Sequence, residues 1–445
     1  MVSATDTLTQ PRLTARSLEG SSNGTPPFFV GPSTADRRPD WHGGHVLAVL
    51  APGQGAQKPG MLTPWLELPG AESFFRWAGA IADADLLELG TTGDAEAIQD
   101  TAVTQPLVVA MSLFIARELG GMPGPVVHSP QAGRDVVIAG HSVGELTAAA
   151  LAGVLSIEAA IALTAVRGRA MARSCAQTPT GMSAVLGGDP DEVLAAIEAS
   201  GLVPANRNGG GQIVAAGSLD GLAALRAEPP AKARVMPLPV AGAFHTHYMA
   251  SAREELEGLV GGLRPADPSR LLLSNADGAA VDSGAEVLSR LVSQVTSPVR
   301  FDACLATLRD LGVTAVLELP PAGALAGLAK REWKGSDIEV LALAGPNDLD
   351  RARELITAER GRAEAEHLPD WRVVVSPARG TVSPADVPEG THLPAGTPLG
   401  CIRGRREEVN VSAAYDGVLA EWLVQDGDLV DAGDPLARLY PEVAV

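Results

Sequence analysis

The sequence predicts an α/β protein: a large domain on a largely parallel sheet, a small ferredoxin-like unit inserted into it, and a separate all-β module near the end. Three observations carry this expectation. From His45 onward, short apolar strands such as HVLAVLAPG alternate with Ala- and Leu-rich helical stretches, the alternation that builds a parallel sheet covered by helices. Between about 178 and 243 the rhythm changes to strand–helix–strand–strand–helix–strand. The last 80 or so residues switch again, to short β-like runs punctuated by Gly, Pro and Asp.

Each segment has its own justification. Residues 1–44 are rich in Ser, Thr, Pro and Gly without sustained periodicity and read as a flexible tail. Residues 45–345 form the large domain. Within it, MSAVLG, VPANRN, GQIVAAGS and ARVMPLPV read as strands, with DPDEVLAAIEAS and LDGLAALRAE as helices. That order is the ferredoxin-like βαββαβ unit, and its insertion creates a cleft between two subdomains, a common place for ligands. Residues 346–366, rich in Glu, Arg and Ala, read as a linker, and 367–445 as the small module.

Composition narrows the function. The 445 residues are 46% hydrophobic, enough for two to three domains with a substantial core. A net charge of −19 argues against nucleic acid and anionic membrane surfaces as partners. No apolar run approaches the roughly 18–20 residues that span a bilayer, and the N-terminus lacks the apolar core of a secretory signal. Cys175, Cys304 and Cys401 are too few and too scattered for a disulfide framework or a metal site. The expectation is a reduced, cytoplasmic enzyme.

The strand VVIAG runs directly into Gly140-His141-Ser142-Val143-Gly144 and then the helix-like ELTAAALAGVL. This is G-x-S-x-G in a strand–turn–helix setting, the nucleophile elbow of an α/β-hydrolase-like domain. The glycines leave room for a turn that larger residues would obstruct. A serine nucleophile needs a base, most often histidine. His42 lies beside the tail, His367 and His392 in the linker or module, and His128 in a loop; His141 neighbours the serine and points elsewhere. His245 and His247 follow the last strand of the inserted unit, at the cleft edge, and residue chemistry alone does not separate them. PGQGAQ, Pro52 to Gln57, follows the first strand, where Gln54 could donate to a developing oxyanion.

Together these motifs resemble a known family. PGQGAQ, TQP (Thr104–Pro106), GHSVGE (Gly140–Glu145), Arg167-Gly168, NRNGGGQIVAAG (Asn206–Gly217) and GAFHT (Gly242–Thr246) stand in the order of the malonyl-CoA:acyl carrier protein transacylases, a family that includes polyketide synthase acyltransferase domains. The resemblance covers about residues 46–345. It implies Ser142 as nucleophile, His245 rather than His247 as base, and Gln54 with the backbone N–H of Val143 as oxyanion donors. It also implies Arg167 as partner of the malonyl carboxylate, Phe244 as the residue favouring malonyl over branched methylmalonyl units, and Asn206 and Gln212 as residues shaping the cleft. The implied activity is malonyl transfer from malonyl-CoA to the phosphopantetheine thiol of a holo acyl carrier protein, for fatty acid or polyketide synthesis. Because such carriers are acidic, Lys330 and Arg331 are candidates for a basic docking patch. Where the family often has Gly-Pro-Gly after a late strand, this chain has Leu319-Pro320-Pro321-Ala322-Gly323.

The final module resembles biotinyl/lipoyl carrier domains across PAGTPLGCIRGRREE and Asn410–Pro441. Those domains attach their cofactor to a lysine at a hairpin tip. The corresponding position here is Arg406, and no lysine follows Lys334. A guanidinium that stays protonated cannot be acylated, so neither biotin nor lipoate is expected, and the module reads as a docking or structural element. The rival function is an acyl-thioester hydrolase using the same Ser–His pair; a carboxylate-binding Arg167 argues against it.

Overall fold

The structure, a computed structural model, describes residues 46–119, 136–356, 372–404, 408–413 and 416–441. The expected tail, His128 and residues 357–366 of the expected linker lie outside the described residues, as does Arg406.

The large domain is built on five strands. They are β1 (Val46–Ala51) and β2 (Val136–Gly140), with three strands from later in the chain: Leu271–Leu273, Val313–Glu318 and Glu339–Ala342. All pair in parallel, with β1 at the centre flanked by β2 and Val313–Glu318. Every residue of β1 is buried, as a strand covered by helices on both faces must be. Helices α1 (Ala71–Ala82), α2 (Leu86–Thr92), α3 (Thr101–Glu118), α4 (Gly144–Leu151) and α5 (Ile157–Gln177) precede the inserted unit. Side-chain caps start several of them: Asp85 accepts from the Glu88 N–H, Asp100 from the Ala102 N–H and Ser156 from the Ala159 N–H.

The inserted unit has the expected order: β3 (Thr180–Gly187), α6 (Pro190–Ala199), β4 (Val203–Gly209), β5 (Gln212–Ser218), α7 (Leu219–Ala227) and β6 (Ala233–Pro237). Its antiparallel strands lie in the order β6-β3-β5-β4. Alternation divides the sheet's two faces. Val185, Ala215 and Val235 pack with Val193, Ile197, Leu222 and Leu225 of α6 and α7. Met182, Ala184, Val214 and Ala216 join the core of the large domain. One strand was not foreseen: β7, the segment Leu271–Leu273 already placed, is followed by β8 (Val299–Arg300), which pairs in parallel with β4 and ties a late piece of the chain to the insert.

Helices α8 (Ala250–Val260), α9 (Gly284–Gln294), α10 (Phe301–Asp310) and α11 (Ala324–Glu332) complete the large domain around the remaining strands, β9 (Val313–Glu318) and β10 (Glu339–Ala342). The unusual Pro-Pro segment leads into α11. There the buried Glu318 carboxylate accepts from the N–H groups of Gly323, Leu325 and Ala326. The large domain does not stop at 345. Residues 349–356 are helical, and Leu349, Ala352, Leu355 and Ile356 lie in its core, so the first part of the expected linker is structural: its apolar side chains recur at helical spacing and have a core to enter.

The module consists of β11 (Arg372–Val375), β12 (Gly380–Pro384), β13 (His392–Leu393), β14 (Pro398–Arg403), β15 (Glu408–Ser412), β16 (Gly417–Trp422), β17 (Leu429–Val430) and β18 (Pro435–Pro441). They form two four-stranded antiparallel sheets, β11-β18-β16-β13 and β15-β14-β12-β17. Val382, Leu399, Ile402 and Val411 from one sheet meet Val374, Leu393, Leu419 and Leu439 from the other in a core of their own.

Candidate active site

Two adjacent parallel strands set up the site. Ala51 of β1 pairs with Gly140 of β2, so the PGQGAQ loop and the serine turn leave the sheet side by side at its carboxyl edge, where open α/β sheets bind ligands. The glycines are required by contact. A Cβ on Gly140 would lie 2.2 Å from the Gly144 carbonyl carbon, and one on Gly144 would lie 2.2 Å from the Ala51 carbonyl oxygen. Between them Ser142 adopts φ 53°, in the left-handed region that non-glycine residues rarely occupy. Val143 is the N-cap of α4, a position whose N–H has no acceptor within the helix.

Ser142 Oγ lies 2.8 Å from His245 Nε2. The other ring nitrogen, Nδ1, is 2.8 Å from the backbone oxygen of Gln294. A carbonyl can only accept, so Nδ1 carries the proton and Nε2 is left to accept the serine hydroxyl. The third member of this relay is a backbone carbonyl, where many serine enzymes use an aspartate. His245 is itself at φ 60°, in a loop pinned from two sides. Thr246 Oγ1 donates to the Ala243 oxygen at 2.6 Å, and the Ala243 N–H donates to Thr180 Oγ1 at 3.0 Å. The structure therefore separates the two histidines that residue chemistry left open: His247 is exposed and stacks on Tyr248. Burial, reinforced by the positive charge of Arg167, pushes the His245 imidazole down to about 3, with the Gln294 carbonyl opposing. The ring is neutral around pH 7, the state a base requires.

Arg167, on α5, is only 2% exposed. Its Nη1 donates to Gln105 Oε1 at 2.7 Å, and its Nη2 to Gln294 Oε1 at 3.0 Å, with Ser142 Oγ at 3.5 Å. Burial lowers its pKa to about 10, against the pull of Glu145, so it stays charged at neutral pH. Gln105 links it onward: Nε2 donates to Gln54 Oε1 at 3.2 Å. With its oxygen used in this way, Gln54 presents its amino group as the free donor end.

The other sequence candidates fall around this centre. Phe244 is buried beside His245 in the chain. Gln212 reaches the elbow at second hand: its Oε1 accepts from Asn208 Nδ2 at 2.7 Å, and Asn208 Oδ1 lies 2.8 Å from His141 Nε2. Asn206 is buried and its Oδ1 has no hydrogen-bond partner. Arg331 reaches toward the Gly210 oxygen at 3.4 Å, beside the hairpin that joins β4 to β5.

Four residues of the centre were not assigned roles by sequence: Gln105, Glu145, Asn275 and Gln294. Gln105 and Glu145 sit inside recognised motifs, which was a signal. Asn275 and Gln294 lie in a loop and at a helix end with no pattern around them, and Gln294 acts partly through a backbone oxygen that any residue could supply. Among the described residues no group of three or more His, Cys, Asp or Glu could hold a metal ion, and no helix is long and apolar enough to cross a membrane. All three cysteines are free.

Comparison with known proteins gives a consistent result. Residues 49–368 match the acyl transferase domain family. The malonyl CoA-acyl carrier protein transacylase of Mycobacterium tuberculosis is 53% identical over 311 residues, which are 70% of this chain and the whole of that protein. A crystal structure described as MCAT from the same organism superposes with a TM-score of 0.65 at 53% identity, covering 69% of this chain and all of that one. A malonyl-transacylase solved with its holo type II polyketide synthase acyl carrier protein superposes with a TM-score of 0.62 at 29% identity, over 70% of this chain and 99% of that one.

Proposed function

The chain belongs to the malonyl-CoA–acyl carrier protein transacylases of the acyl transferase family, and from that premise we propose that Ser142 carries a malonyl group from malonyl-CoA to the phosphopantetheine thiol of an acyl carrier protein. The observation that carries this reading is the juxtaposition at one oxygen: Ser142 Oγ has a neutral histidine 2.8 Å away and a buried arginine nitrogen 3.5 Å away.

His245 Nε2 takes the hydroxyl proton as Ser142 Oγ attacks the thioester carbonyl. The developing oxyanion rests on the Val143 N–H and the Gln54 amino group, at the positive end of α4. The carbon–sulfur bond breaks, and coenzyme A leaves with the proton returned from His245. The carrier thiol then gives its proton to His245 and attacks the seryl ester, which frees Ser142 and completes a ping-pong cycle. Arg167 binds the free malonyl carboxylate throughout, while Phe244 bounds the space beside the acyl α-carbon. Asn206 and Gln212 line the approach, and Lys330 and Arg331 lie on the face offered to the acidic carrier. The chemistry needs no resident cofactor, and the setting is the cytoplasm, in fatty acid or polyketide synthesis.

In fold terms the large domain is α/β-hydrolase-like with a ferredoxin-like insert. The module is biotinyl/lipoyl-like without an attachment lysine, and serves docking or structure.

Intact-protein mass spectrometry after mixing with malonyl-CoA, then with a holo carrier, tests this reading. The expected result is a malonyl adduct on the wild type that passes to the carrier and is absent from Ser142→Ala. An adduct that decays to free malonate in the presence of a competent carrier would establish the hydrolase instead.

A further inference from the structure

Glu145 touches none of the reacting atoms, yet the three groups that do are fastened to it. Its Oε1 accepts the backbone N–H of Asn275 at 2.6 Å, and its Oε2 accepts from Gln294 Nε2. Each of these partners holds one side of the serine turn. The Ser142 N–H donates to Asn275 Oδ1 at 2.8 Å, and the Ser142 carbonyl accepts from Gln294 Nε2 at 3.1 Å. Asn275 Nδ2 also donates to the Gly140 oxygen at 2.7 Å. Gln294 extends the set, with its side-chain oxygen on Arg167 and its backbone oxygen on His245.

We infer that Glu145 is a positioning residue for this centre, its two carboxylate oxygens fixing Asn275 and Gln294 so that Ser142, His245 and Arg167 are held in one arrangement. The inference rests on the proposed role of Ser142 as nucleophile. Two physical arguments support it. First, a serine at φ 53° is held in a sparsely populated conformation only if its surroundings dictate it; its N–H is held by Asn275 and its carbonyl by Gln294, both fastened to the Glu145 carboxylate, with the Glu145 backbone N–H as a second donor to that carbonyl at 2.9 Å. Second, a buried carboxylate is a poor device for stability alone. Burial pushes this one up to about 7, against the Asn275 N–H, the Gln294 amide and the Arg167 charge. What its ionised form offers that an amide cannot is two acceptors facing two donors.

That asymmetry defines the test. Glu145→Gln keeps the shape but presents one acceptor and one donor. The Asn275 N–H is part of the backbone and takes the acceptor. The Gln294 amide must then turn over, setting its oxygen against the Ser142 carbonyl and its amino group against the Arg167 guanidinium. Single-turnover acylation at saturating substrate should slow about ten- to a hundredfold with malonyl-CoA. It should slow less with acetyl-CoA, which has no carboxylate for Arg167. In a Gln294→Leu background the same substitution should cause no further fall in the malonyl-to-acetyl ratio, because the link runs through the Gln294 side chain.

Wild-type loading rates in a folded Glu145→Gln protein, equal losses for both acyl groups, or additive effects in the double variant would each overturn the inference. Should Glu145→Gln fail to fold, Gln294→Leu alone decides. It keeps the backbone oxygen for His245, so the ratio should fall about tenfold or more, and an unchanged ratio would sink the idea. The nucleophile reading is judged separately: it fails if the wild type forms no adduct, whereas the positioning role fails when the wild type loads and the variants match it.

Discussion

Replacing Arg167 with alanine separates a carboxylate clamp from a structural arginine. Within the protein the guanidinium satisfies two buried side-chain oxygens, on Gln105 and Gln294. Its remaining donors face Ser142 Oγ at 3.5 Å, where the acyl group would sit. A malonyl carboxylate there gains charge-assisted hydrogen bonds worth about 1.5–3 kcal/mol, which corresponds to about ten- to 150-fold in rate. Acetyl gains nothing from the charge. Its acylation suffers only from the disturbed Gln105 and Gln294, about 1 kcal/mol or fivefold. The malonyl-to-acetyl ratio should therefore fall in Arg167→Ala, read by quenched-flow mixing and intact-mass counting of each adduct. Arg167→Lys should fall between, since one ammonium cannot bridge two carbonyls and still grip a carboxylate in two-pronged fashion. Equal losses for malonyl and acetyl would refute the clamp and leave Arg167 a packing residue.

Three further outcomes follow from the geometry. Gly144→Ala should destabilise by more than about 3 kcal/mol because its methyl meets the Ala51 carbonyl at 2.2 Å, whereas Gly258→Ala, with open space around it on α8, should stabilise by up to about 1 kcal/mol; urea melts of both check the pair. His245 is held near 3 when folded but titrates near 6.5 when unfolded, so below about 6.5 the unfolded chain binds a proton that the folded one refuses. The wild type should accordingly lose on the order of 2 kcal/mol relative to His245→Gln between about pH 6.5 and 4.5; a difference that does not move with pH contradicts the assigned environment. Removing residues 372–445 should leave malonyl loading intact, because the module has its own core and lies beyond the residues that match the acyl transferase domain family; loss of loading in the truncated protein would make the module part of the catalytic fold.

The parts legible in the sequence were those with a local rule behind them. Ser142 was marked by a strand, a tight turn and a helix in succession, and the insert by its change of rhythm. His245 was different: residue chemistry left it tied with His247, and the family motif was needed to choose. The strand pairing of Val299–Arg300 with β4 and the core role of residues 349–356 were not legible, because both depend on partners distant in the chain. The same holds for Asn275 and Gln294. Each contributes a backbone atom or a carboxamide whose value comes only from what stands opposite it.

The short pairing between β4 and β8 has a mechanical consequence. The insert is tied to the large domain at three kinds of place: by its two chain connections, by the sheet face that enters the large core, and by a hydrogen-bonded strand edge. Hinge closure needs two bodies joined at a few yielding positions, and this arrangement leaves little that can yield. Substrate exchange should therefore proceed through rotamer changes at the cleft mouth, with the insert acting as a fixed wall rather than a lid.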